Sequence, residues 1–80
     1  MPEELIKAAD EVVRVTKELE SLELSITEEK RGLIDVEEVP EAATKRLKSL
    51  QVKRNRAISE LARLQSEYDR LVAEWKHGLP

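Results

Sequence analysis

The chain has 80 residues and a net charge of −3, with 39% charged residues, 2% aromatic residues and no cysteine. The missing cysteines exclude disulfides, thiolate metal sites and thiol nucleophiles, and the scarce aromatic side chains exclude a conventional aromatic-rich core. A composition rich in Ala, Glu, Lys, Leu and Arg is instead typical of a long helix or a coiled coil.

The N-terminal sequence MPEELIKAADEVV carries acidic residues where a secretory signal carries positive charge. No segment of the sequence approaches the run of roughly 20 apolar residues that spans a bilayer. We therefore expect a soluble cytoplasmic protein, and an intracellular viral or phage protein fits the same observations.

The first predicted element is a helix over residues 3–31, because its apolar residues are spaced alternately by three and four. This spacing is a heptad pattern, in which the a and d positions face a partner helix. The a sites are Leu5, Val12, Leu19 and Ile26, and the d sites are Ala8, Val15 and Leu22. Gly32 is expected to end the helix. A capping-box pattern of Ser25 with Glu28 leaves open an alternative in which the helix breaks near Leu24.

The predicted turn covers residues 32–39, and a second helix covers residues 40–77. Pro40 suits the first helical position, because the N–H that proline lacks has no intrahelical partner there. The a sites of this helix are Leu47, Arg54, Leu61, Tyr68 and Trp75, and the d sites are Leu50, Ala57, Leu64 and Leu71. Gly78 and Pro80 are expected to stop it.

Two heptad helices joined by a short turn predict a single all-α domain, an antiparallel helical hairpin of coiled-coil type. A turn centred near Val36 pairs residues whose numbers sum to 72. In that register the first helix ends too early to cover Leu71, Trp75 and Leu79, which would project without a partner in the same chain.

Apolar residues also flank the heptad sites on one side of each helix, so each apolar stripe is wider than a hairpin needs. The flanking residues are Ile6, Ala9 and Val13 in the first helix and Ile58, Ala62 and Val72 in the second. Together with Leu71 and Trp75 they form the predicted partner interface. A second copy is the simplest partner and predicts a homodimer built as a four-helix bundle, and a different protein is the alternative.

The charges are divided unequally, with net −8 over residues 1–41 and net +5 over residues 42–80. Antiparallel pairing should therefore lay an acidic helix along a basic one, with Glu18 near Lys53 and Glu11 near Glu60. Arg54 occupies a core a site, where we expect its guanidinium to pair with Glu20, Glu23 or a symmetry mate. The alternative is a buried arginine that awaits an anionic ligand.

The basic run raises a nucleic-acid hypothesis, since residues 42–59 hold six basic and no acidic residues. Heptad positions spread these six residues around the helix, and no aromatic residue among them could stack on bases. The pI of about 5.2 also lacks the basic character usual for such domains. A small dimeric RNA- or DNA-binding protein is therefore the alternative function. Its contacts would be Lys45, Lys48, Lys53 and Arg56.

No set of residues recommends a reaction, a metal or a cofactor. His77 is the only histidine and lies in the last predicted turn, and the sequence has no glycine-rich phosphate loop. We therefore expect a non-catalytic interaction module without cofactors, acting as a structural, adaptor or chaperone-like subunit.

Overall fold

The computed structural model describes residues 2–78 and contains two helices, α1 at Glu3–Arg31 and α2 at Glu41–His77. They pack side by side in a rod of 66 × 15 × 14 Å. The cross-helix pairs Arg14–Glu60 and Glu29–Arg46 show that the helices run in opposite directions. No strand occurs between residues 2 and 78, so the all-α prediction is confirmed over that range. We call the end at Glu3 and His77 the open end, and the other the turn end.

Helix α1 is continuous, and the alternative of a break near Leu24 is wrong. Pro2 is the N-cap residue, and its carbonyl accepts hydrogen bonds from the Leu5 and Ile6 N–H groups at 3.1 and 3.3 Å. The helix then runs through Ser25 without interruption. The hydroxyl of Thr27 donates to the Glu23 carbonyl at 2.9 Å, a bond that a side chain inside a continuous helix can make.

The turn begins with helix-like backbone. Gly32 has φ −65° and ψ −14°, and its N–H donates to the Glu28 carbonyl at 3.2 Å. The Leu33 N–H donates to the Lys30 carbonyl at 3.0 Å. Pro40 has an extended ψ of 141° and is the N-cap of α2, so the helix begins at Glu41. The helix was expected to begin at about Pro40, and the structure places Pro40 one residue before it, in extended backbone.

The seam, meaning the a and d sites of both helices, lies between α1 and α2. Every seam residue is buried or half-buried, which confirms the heptad interpretation. The buried residues are Leu5, Val15, Ile26, Ala43, Ala57 and Leu64. The small side chain of Ala57 lies in one cluster with Val15 and Leu64, and larger seam residues pack around it.

The register of the hairpin differs from the prediction. The residue numbers of the pairs Arg14–Glu60 and Glu29–Arg46 sum to 74 and 75, not to 72. The helix-like backbone just after α1 explains the difference, because it moves the reversal of the chain further along the sequence. These sums place a sites of α1 nearly opposite d sites of α2, and the a residue Leu19 packs against the cluster that contains the d residue Ala57.

Arg54 is the one charged residue at a seam position of α2, and it is half-buried. Its Nε atom is buried and has no hydrogen-bond partner among the residues the structure describes. Within that same range Arg54 makes no ion pair, so the expected pairing with Glu20 or Glu23 is not formed in the single chain. Both glutamates lie at exposed positions of α1, where they keep their hydration.

We expect Arg54→Leu to raise the free energy of unfolding by about 1–2 kcal/mol, because it removes a buried donor without a partner and fills the seam with apolar atoms. Urea denaturation at a fixed protein concentration measures the change. The control is Arg56→Leu, which changes the same residue type at an exposed position and should bring no gain. A loss of stability in the Arg54 variant would contradict this account of the seam.

Candidate functional site

Three of the five large apolar residues that are exposed on the two helices lie on the flanks of the seam, and the other two, Leu24 and Val52, lie on the outward surfaces. Ile6, Val13 and Ile58 keep 48%, 49% and 46% of their surface exposed. Ala62 is also exposed, whereas Ala9 and Val72 are partly covered. We call these six residues the apolar face.

Helical geometry places the two flanks on one side of the hairpin. Successive residues turn by about 100° around a helix axis, so Ile6, Ala9 and Val13 lie on the same side of the α1 seam. Ile58 and Val72 are turned away from the α2 seam in the same rotational sense as Ile6, Ala9 and Val13 are turned away from the α1 seam, each viewed along its own helix. Because the two helices run in opposite directions, equal rotational senses bring both flanks to the same side of the pair. The apolar face is therefore one surface that involves both helices.

Charge divides this side of the hairpin into two halves. In the open-end half, around the apolar face, Asp69 is the one charged residue at the flanking heptad positions e and b from 2–16 and 58–72. The same positions in the turn-end half carry Glu20, Glu23, Lys30, Glu41 and Lys48. The surface suited to exclude water is thus confined to the open end.

The expectation that Leu71 and Trp75 project without a partner in the same chain is wrong. Both side chains are half-buried, and they line a small cavity together with Pro2 and Leu5 at the start of α1. The shifted register explains the difference, because it carries the start of α1 further along α2. The expectation for Leu79 lies outside the described residues.

The opposite side of the hairpin is held by ion pairs around Arg14. Its guanidinium lies 2.9 Å from a Glu11 oxygen, 3.7 Å from Glu18 and 3.5 Å from Glu60. Glu11 and Glu60 do lie on the same flank as expected, and one arginine between them offsets their repulsion. Glu18 was expected beside Lys53, but the structure pairs it with Arg14. The spacing of Arg14 from Glu11 and Glu18, three and four residues, was the sequence signal for this cluster.

The hydrogen bond from Arg14, followed by its charge, lowers the pKa of the Glu11 carboxyl below its ordinary value, and the charge of Arg63 adds a smaller effect. The same contact raises the pKa of Arg14. Because the Glu11 pKa is lowered in the folded chain, this contact stabilises the fold above the unfolded-state pKa. The stabilisation is lost as the pH falls through the folded-state pKa. Both groups are exposed, so the effect on stability is small.

Four basic residues share the outward surface of α2. Lys45, Lys48, Lys53 and Arg56 line one shallow groove together with Ser49 and Val52. We call the four charged residues the basic face. The expectation that the six bases spread around the helix is thus wrong for these four, because their spacing returns to one side of a helix over about three turns.

The other two bases of the run are used within the hairpin. Arg46 contacts Glu29 at 3.2 Å, and Arg54 enters the seam. Within the basic face, Lys45 contacts Glu41 at 3.6 Å. Lys48, Lys53 and Arg56 make no ion pair with any residue in the range 2–78. Three of the four charges are therefore available to an external anion.

Residues 2–78 form neither a metal site nor a membrane span. Between residues 2 and 78, no three His, Cys, Asp or Glu residues come together in a way that could hold a metal ion. Neither of the two described helices has a stretch long and apolar enough to cross a bilayer. His77 is exposed in the last turn of α2.

The comparisons with known proteins give no relative. No protein family, no curated protein and no solved structure matches the chain. The apolar face and the basic face are therefore the features from which a function can be argued.

We expect Arg14→Gln to raise the pKa of the Glu11 carboxyl toward its ordinary value, because the substitution removes the charge and most of the hydrogen bonding that hold the carboxylate ionised. An NMR pH titration of the Glu11 side chain measures the shift. Lys17→Gln removes a positive charge from the same helix without touching this cluster, so it should leave the titration nearly unchanged. An unshifted Glu11 titration in the Arg14 variant would show that the contact does not persist in solution.

Proposed function

We propose that the chain is a non-catalytic protein–protein interaction module whose partner is a second copy of itself, two hairpins forming a four-helix bundle. The observation that carries the proposal is the apolar face, on which Ile6, Val13 and Ile58 are about half exposed on one side of the hairpin. A structural, adaptor or chaperone-like role, located in the cytoplasm, is part of the same proposal.

The total surface of the hairpin supports this proposal. The chain exposes 6271 Å², whereas a folded monomer of 9.2 kDa exposes about 4,900 Å². Its radius of gyration is 18.3 Å, compared with about 12 Å for a compact domain of this length. Specific interfaces bury roughly 800 Å² on each partner. The excess surface is therefore large enough to supply a dimer interface.

The distribution of polarity supports a protein partner at this surface. Partner surfaces have an apolar, poorly charged centre and a polar rim. The apolar face has such a centre at Ala9 and Val13, and at the flanking positions of α1 on this side the first charged residue is Glu20. Exposed apolar residues that cluster in this way mark association sites more often than isolated ones do.

We expect the wild-type chain to elute as a dimer of about twice 9.2 kDa, and Val13→Glu to convert it to a monomer, because the substitution places a charge in a desolvated contact. Light scattering coupled to size exclusion, at micromolar concentration, measures the mass. The matched control is Val52→Glu, since Val52 is 45% exposed, close to the 49% of Val13, but lies on the outward surface of α2.

The control variant should remain a dimer, and circular dichroism should show the same helix content in both variants. A wild-type chain that is monomeric at micromolar concentration would overturn the proposal. Equal loss of the dimer in both variants would show that the apolar face is not the contact.

We infer a second candidate function, binding of a nucleic-acid backbone, from the basic face. Lys45, Lys48, Lys53 and Arg56 line one groove, and no acidic residue interrupts residues 42–59. The twelve residues from Lys45 to Arg56 span about 17 Å of helix, enough to contact more than one phosphate along a backbone. Phosphate contacts of this kind give affinity without sequence specificity.

If the basic face binds four phosphates of a duplex, the affinity should fall by about 100-fold between about 50 and 200 mM salt. Fluorescence anisotropy with labelled double-stranded RNA and DNA measures this, and the double variant Lys48→Glu/Arg56→Glu should not bind. The double variant Lys17→Glu/Arg31→Glu makes the same change in net charge on α1 and should weaken binding far less. An absence of binding by the wild type at low salt would exclude this second function.

A further inference from the structure

Four residues of the apolar face, Ile6, Val13, Ile58 and Val72, are arranged symmetrically along the two helices, whereas Ala62 has the exposed Asp69 as its counterpart. Ala9 and Gln65 both occupy e positions, and their numbers sum to 74, as do those of the pair Arg14–Glu60. Ala9 and Gln65 therefore lie at about the same height along the rod. In α2, Ile58 lies seven residues before Gln65 and Val72 seven residues after it. In α1, Ile6 lies three residues before Ala9 and Val13 four residues after it.

This spacing is what a two-fold axis requires. We consider an axis that runs across the apolar face from Ala9 to Gln65, perpendicular to both helices and in the plane of the contact. Rotation about this axis places a second hairpin on the apolar face, with its helices running in the reverse direction. Ile6 then meets the partner's Val13, and Ile58 meets the partner's Val72. In an isologous contact each residue pairing must occur twice, and both helices meet this condition about the same axis.

The residues nearest the axis also suit a symmetric contact. Ala9 has a small side chain, so the two α1 backbones can approach closely there. Gln65 carries both a donor and an acceptor in its amide, so two copies related by the axis can hydrogen-bond to each other. A large or charged residue at either position would oppose this packing.

We propose that two copies join through their open ends in antiparallel orientation, with the axis near Ala9 and Gln65 and with the two turns pointing away from each other. This proposal rests on the proposed self-association and specifies its geometry. The dimer is then longer than one hairpin, and only the open-end halves overlap.

Two other symmetric arrangements agree less well with the charges. An axis parallel to the rod would place the two turns side by side, and each turn carries Asp35, Glu37, Glu38 and Glu41 within seven residues. Like charges brought together repel. An axis through the middle of the rod would press Val13 of each copy against the partner's Glu20 and Glu23. That contact would desolvate two carboxylates of each copy without pairing them, whereas the open-end dimer brings only one acid of each copy, Asp69, into the contact.

The geometry is tested by the distance between two spin labels, one on each copy. The chain has no cysteine, so Glu28→Cys creates a unique labelling site at an exposed position of α1. In the open-end dimer the two labelled positions lie about 55 Å apart, since each is some 18 residues from the axis at 1.5 Å per residue. Both alternative arrangements place them at about 30 Å or less. Pulsed dipolar EPR separates these distances, and dilution with unlabelled chain shows that they are intermolecular.

A distance near 55 Å supports the open-end dimer. A dimer with a distance of about 30 Å or less overturns this geometry and leaves the proposed self-association intact. A chain that is monomeric in light scattering and shows no dipolar signal overturns the proposed function itself.

A pair of matched substitutions provides a second measurement. Gln65→Glu places two carboxylates together on the axis and should raise the dimer dissociation constant at least tenfold. Gln51→Glu makes the same change at another e position of α2 that lies outside the overlap, and should leave the dissociation constant within about twofold. Equal effects of the two substitutions would contradict an axis near Gln65.

Discussion

The structure depends on one constraint, which is that two helices can bury only one narrow stripe on each other. The seam absorbs Leu5, Val15, Ala57 and Leu64, and every other side chain lies at the edge of the seam or in water. A chain with apolar residues in the seam alone would be complete as a hairpin, although it would gain little stability from so thin a core. This chain carries further apolar residues beside the seam, at Ile6, Val13 and Ile58, and they have no place in a two-helix structure. The proposed dimer follows from this mismatch.

The sequence was sufficient to predict which residues form the seam, because a heptad pattern depends on spacing along one helix and needs no knowledge of the partner. It was not sufficient to predict the register, which depends on backbone hydrogen bonds just after Gly32 that no residue type dictates. The prediction that Leu71 and Trp75 lie beyond the end of α1 was wrong because it used the wrong register. The four residues of the basic face were named from the sequence, but their common surface was not predicted, since all six bases were expected to spread around the helix although Arg46 and Arg54 have separate contacts inside the hairpin.

Charge influences how α1 and α2 align with each other more than it contributes to the free energy of unfolding. Exposed ion pairs such as Glu29–Arg46 contribute at most about 1 kcal/mol each. Placed across the two helices, however, they favour one alignment over its neighbours. Arg14 illustrates this role, because it joins Glu11 and Glu18 within α1 to Glu60 of α2. An acidic first helix and a basic second helix attract each other, and the hairpin places them side by side.

The apolar face and the basic face lie at different ends of the rod, so use of one does not exclude use of the other. The centre of the basic face, near Val52, is about 13 residues from Gln65 along α2, or about 20 Å. In the open-end dimer the two basic faces therefore lie about 40 Å apart, on either side of the axis. A long polyanion that met both faces would gain affinity from two weak contacts, whereas a short one would meet only one. Dimer formation and polyanion binding would thus be coupled by geometry without any change in the structure of the hairpin.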